Sequence, residues 1–115
     1  MNKDNIIDHF KSGIKEPINT KIGVEHEKFL FYKMNNKRIN YSTIKEIFKI
    51  LYEFGWKPSY EGENVIALNK DNKSITLEPG NQIELAGAQL TNIHEVCSEA
   101  NNYLFELKQV VEKLD

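Results

Sequence analysis

Apolar residues recur along the chain with two different periods, and the switch between them marks out its elements. From Asp4 to Ser12 the residues Ile6, Ile7 and Phe10 fall at helical spacing, and Gly13 follows where a left-handed cap belongs. A loop with Pro17 comes next. Ile22 to Lys33 carries Val24, Phe29, Leu30, Phe31 and Tyr32 without proline, which predicts a strand. The polar turn Met34-Asn35-Asn36-Lys37 leads to a short return strand from Arg38 to Tyr41. A second helix follows, with Thr43 and Glu46 fitting a capping box and Ser42 competing as its N-cap. Its stripe is Ile44, Ile47, Phe48 and Leu51, and Gly55 closes it.

Beyond Trp56 and Pro58 the period drops to two. Val65 to Asn69, Ser74 to Glu78 and Gln82 to Ala86 read as strands, joined by turns at Lys70-Asp71-Asn72-Lys73 and Pro79-Gly80-Asn81. Helical spacing returns from about Asn92 to Leu114, where Asn92 and Glu95 signal a cap. Ile93, Val96, Cys97, Ala100, Leu104, Leu107, Val111 and Leu114 hold one face of this helix, which runs for ~33 Å at its usual rise. Neither Gly nor Pro closes it. The expectation is an α+β fold, an antiparallel sheet with helices packed on one face, forming a single incomplete domain over residues 1–115.

The alternation also fixes a register. Ile75, Leu77, Ile83 and Leu85 must share a face, which puts Ser74, Thr76, Glu78, Gln82 and Glu84 on the other. A three-residue loop satisfies this by pairing Glu78 with Gln82 and Thr76 with Glu84, whereas a two-residue loop scrambles the faces. On the first strand Glu25 and Glu27 project together, ~7 Å apart, with Phe29 and Phe31 further along the same face. Like charges so placed are unfavourable unless a cation neutralises them. Oxygen-only donors suit a hard ion, Mg²⁺ or Mn²⁺, with positions left for water and phosphate oxygens. The competing reading is that these glutamates are solvated side chains on open sheet faces. His26 points away from them, His94 lies on the surface of the last helix, and Cys97 belongs to that helix's apolar stripe. The polar loop Glu61-Gly62-Glu63-Asn64 offers Glu63 and Asn64 as ligand contacts.

Composition narrows the partners. With 115 residues, 40% hydrophobic and 28% charged, the chain reads as an ordinary globular domain rather than a disordered one. Its 15 Lys and Arg against 17 Asp and Glu leave a net charge of -2, which predicts no nucleic-acid footprint and no attraction to an anionic membrane. Arg38 is the sole arginine. One cysteine excludes an intrachain disulfide. No apolar run has signal-peptide or membrane-span length, and a cytoplasmic location is expected.

Two runs carry a family resemblance: Ile22-Gly23-Val24-Glu25-His26-Glu27-Lys28-Phe29, and Ile75-Thr76-Leu77-Glu78-Pro79-Gly80-Asn81-Gln82-Ile83-Glu84-Leu85-Ala86-Gly87-Ala88. Together with Leu90, His94, Cys97 and Glu99-Ala100-Asn101, they resemble the N-terminal portion of glutamate–cysteine ligase (gamma-glutamylcysteine synthetase) of the proteobacterial and plant type. Asn81 and Ala86 stand where that family is expected to have Gly and Ser. The resemblance implies a glutamine-synthetase-like catalytic domain. It further implies ATP-dependent joining of the glutamate γ-carboxylate to the cysteine amine through a γ-glutamyl phosphate, the first step of glutathione biosynthesis. By the same resemblance Glu25, Glu27, Glu78 and Glu84 hold magnesium or manganese. The implied partners are glutamate, cysteine, ATP and the remainder of a longer ligase chain, without which this piece is inactive. Three alternatives stay open: a non-catalytic binding or regulatory module, one half of a split ligase, and another carboxylate–amine ligase of the same superfamily.

Overall fold

The computed structural model describes residues 2–114. In chain order the elements are α1 (Lys3–Ser12), β1 (Glu25–Phe29), α2 (Tyr41–Leu51), β2 (Lys57–Glu61), β3 (Asn64–Lys70), β4 (Lys73–Glu78), β5 (Gln82–Ala86) and α3 (Ile93–Leu114), with single 3₁₀ turns at Pro17–Asn19 and Tyr52–Phe54. The five strands form one antiparallel sheet in the order β1-β5-β4-β3-β2. The α+β architecture is therefore as expected. The β4–β5 register is also the anticipated one, Thr76 opposite Glu84 and Glu78 opposite Gln82.

One face of the sheet is apolar, and α2 and α3 cover it. The α2 stripe of Ile44, Ile47, Phe48 and Leu51 is buried in a single cluster with Leu68, Ile75, Ile83 and Leu85 of the sheet and with Tyr103 and Val110 of α3. Val65 and Leu68 both reach this core although they are three residues apart, which plain alternation forbids. A β-bulge resolves it: Ser59 pairs with Ala67 and Tyr60 with Val65, so Ile66 is the extra residue and the side-chain sequence inverts there. Trp56 closes one end of the core, its indole Nε1–H donating to Glu106 Oε2 of α3 at 2.7 Å. Lys70 Nζ donates to the other oxygen of Glu106 at 2.9 Å and lies over the Trp56 ring.

Several sequence expectations need correction. The strand predicted from Ile22 to Lys33 is regular only over Glu25–Phe29, and the return strand from Arg38 reduces to one bridge between Phe31 and Arg38. Asn40, not Ser42 or Thr43, caps α2; its side chain accepts from the Thr43 amide at 3.0 Å. Gly13 is right-handed (φ -80°) rather than left-handed. Strand β2 was not foreseen because Pro58 weakens its signal, yet β2 is an edge strand, where a missing N–H is tolerated. On α3 the buried face is Val96, Glu99, Tyr103 and Val110, rotated from the predicted stripe, so Leu104 and Val111 are exposed, and Cys97 is exposed rather than core. Helix α1 buries no residue. The radius of gyration, 17.4 Å against the ~13 Å of a compact chain of this length, reflects that outlying segment.

Candidate functional site

Among the described residues no helix covers the second face of the sheet, and the side chains there can be read directly from the register. Three rows cross the strands. Glu25, Ala86, Ser74, Asn69 and Lys57 form one; Glu27, Glu84, Thr76, Ala67 and Ser59 form the next; Phe29, Gln82 and Glu78 form the third. Glu84 is thus directly opposite Glu27, and its diagonal neighbours on the two flanking strands are Glu25 and Glu78. The four glutamates singled out from the sequence share one region, spread over three adjacent strands.

Their electrostatics follow from this crowding. Partial desolvation, then the charges of Glu25, Glu78 and Glu27, hold the half-buried Glu84 carboxyl above the ordinary carboxylate range. Hydrogen bonds orient two of the others: Gln82 Nε2 donates to Glu27 Oε2 at 2.7 Å, and Thr76 Oγ1 donates to Glu78 Oε1 at 2.9 Å. Gln82, the first residue of β5, is itself buried between Phe29 and Glu78. The oxygen-only donor set has the chemistry a hard cation requires. The carboxylate ends are nevertheless not gathered into a cage: among the described residues no three His, Cys, Asp or Glu side chains are arranged to hold a metal ion. Glu63 and Asn64 lie at the exposed tip of the β2–β3 hairpin, farther out in the sheet, and hydrogen-bond to none of the four glutamates.

At the other end of the third row, the Arg38 guanidinium lies 4.5 Å from the centre of the Phe29 ring. Its Nη1 donates to the Gly80 carbonyl at 3.2 Å, and Asn81 Nδ2 donates to the Ile39 carbonyl at 2.9 Å, so the β4–β5 turn is tied twice to this segment. Spacing gave no hint of this contact. The only available signal was that the chain has a single arginine. A buried carboxylate supports the opposite end of β1 and β5, beside Glu25. Glu99 of α3 accepts from the Ala88 amide at 3.0 Å, and the adjoining Gly87 amide donates to Val24, the residue before Glu25.

Comparison with known proteins bears on what this face does. The model of glutamate-cysteine ligase family 2 matches residues 21–114. The chain is 39% identical over 115 residues to the chloroplastic glutamate–cysteine ligase of Medicago truncatula, covering 99% of this chain and 23% of that protein. It is 37% identical to the chloroplastic ligase of Nicotiana tabacum, covering 22% of it. Against the chloroplastic ligase A of Oryza sativa subsp. japonica the identity is 40%, with 23% covered. The chain therefore spans a little under a quarter of the length of these relatives. Their names overturn the expectation of a cytoplasmic location, since all three are chloroplastic.

Proposed function

The chain belongs to glutamate-cysteine ligase family 2, and from that premise we propose that it supplies part of the active site of an ATP-dependent ligase making γ-glutamylcysteine. The observation that carries this is the extent of the family match, residues 21–114, which includes all five strands of the acidic face. In the proposed reaction the glutamate γ-carboxylate attacks the γ-phosphorus of ATP and releases ADP. The cysteine amine then attacks the acyl carbon of the γ-glutamyl phosphate and expels phosphate.

Glu25, Glu27, Glu78 and Glu84 are the residues proposed to hold magnesium or manganese. Such an ion, when bound, supplies positive charge that offsets the charge developing on the transferring phosphoryl group. Gln82 and Thr76 orient Glu27 and Glu78 through the hydrogen bonds described above. Glu63 and Asn64 are proposed only as contacts at the rim. The rest of the triphosphate and cysteine sites is assigned to the ligase beyond these 115 residues.

The test is a chimera in which these residues replace the matching segment of one of the plant ligases, assayed for γ-glutamylcysteine from ATP, glutamate and cysteine. Turnover is expected, and Glu25→Gln or Glu84→Gln within the chimera should abolish it. A folded chimera without turnover, or variants with undiminished turnover, would overturn the reading.

A further inference from the structure

We propose that Arg38 binds an oxyanion of the substrates, a carboxylate of the amino acid or a phosphate of the nucleotide; the role rests on the ligase reading above. The position is built rather than incidental. The Phe29 ring beneath the guanidinium sits on the same sheet face as Glu25 and Glu27. The backbone around Arg38 is held on both sides, by the Phe31–Arg38 bridge and by hydrogen bonds from the Tyr32 amide to the Lys37 carbonyl and from the Ile39 amide to the Leu30 carbonyl. Gly80 leaves the space the guanidinium needs, since a Cβ there would lie 2.6 Å from Arg38 Nη1, and its φ of +77° also favours glycine.

What the position leaves free matters more. A guanidinium carries five N–H donors. Among the described residues Arg38 uses one, on the Gly80 carbonyl, and forms no ion pair, although Glu27 and Glu78 share its face. The Phe29 ring and the Gly80 carbonyl hold the guanidinium in place while its remaining donors are without a protein partner among the described residues, and such a group can receive a carboxylate or phosphate in two parallel hydrogen bonds. A lysine at this position could neither stack nor bind in that forked way.

The sole arginine makes the test specific, because a ¹⁵N-labelled chain has one arginine Nε–Hε signal. L-Glutamate and, separately, inorganic phosphate are titrated against sodium chloride of matched ionic strength at slightly acid pH. A saturable shift of that signal is expected at concentrations on the order of 1–10 mM. A response to glutamate alone assigns the carboxylate, a response to phosphate alone assigns the nucleotide, and a response to both assigns a shared oxyanion site. Arg38→Gln keeps a donor for the Gly80 carbonyl and should lose the anion-induced shifts of the Phe29 and Gly80 amides, whereas Arg38→Lys should keep them about tenfold weaker. An arginine signal that moves no further than in chloride, or an Arg38→Gln chain that responds like the parent, overturns the proposal. The measurement is independent of turnover, so an inactive chimera would defeat the ligase reading without deciding this one.

Discussion

Glu84 faces Glu27 on one side and Thr76 on the other, and its carboxyl is held above the usual range. At neutral pH its ionised form is therefore a source of repulsion rather than of stability. Because the native pKa exceeds the unfolded one, stability falls as pH rises through the native value. Glu84→Gln should melt at pH 7 no lower than the parent, with the difference vanishing below the ordinary carboxylate pKa; a lower midpoint at pH 7 would contradict the crowding. Gly87 makes the opposite case. A Cβ there would lie 2.7 Å from the Val24 carbonyl and press on the Glu99 carboxylate. Gly87→Ala should lose roughly 1–3 kcal/mol, measured by urea unfolding. The two residues were not equally legible. The placement of Glu84 beside Glu78 followed from alternation and loop length, since only a three-residue turn keeps Ile75 and Ile83 on one face. The demand on Gly87 arises from a helix that returns over it, which no local pattern announces.

At the scale of elements, local signals were read well wherever one face meets one core. Helix α2 was found from four residues because all four are buried, while α3 was found in extent but not in orientation. It carries apolar residues over a wide arc, and the sheet accepts the side bearing Tyr103 rather than the side bearing Leu104. Burial then separates chemically equal residues. Phe105→Ala, at a position 60% exposed, should change stability by at most ~0.5 kcal/mol, whereas Phe48→Ala in the core should lose about 3–5 kcal/mol in the same urea titration. The start of α3 is pH-sensitive. Asn92 Oδ1 accepts from the His94 and Glu95 amides, and the Thr91 hydroxyl and amide both donate to the Glu95 carboxylate, the chief cause that holds its pKa low. That contribution is present above the unfolded carboxylate pKa and lost as pH falls through the lower native value. Glu95→Ala should therefore lower the melting temperature at pH 7, and the gap should close in acid.

For the whole molecule, the division of the sheet into a covered apolar face and an open acidic one sets what 115 residues can do. The acidic face gathers carboxylates but offers few cations. Lys57 ends one row, and Arg38 stands at the edge of another. A triphosphate needs more positive charge around it than this. The purified chain alone should therefore form no γ-glutamylcysteine above a protein-free blank. Turnover that is lost on chelation and restored by Mg²⁺ would refute this.

Trp56 gives the molecule its own optical gauge. It is the single tryptophan, 3% exposed, and its indole is fastened to Glu106 at the seat of α3 on the sheet. Its emission therefore reports one docking event rather than an average over the chain. A dry indole fluoresces at shorter wavelength than a wet one, so detachment of α3 appears as a red shift even while the helices persist. During denaturation, a fluorescence midpoint that precedes the loss of far-ultraviolet dichroism would mean that α3 leaves the sheet before either comes apart.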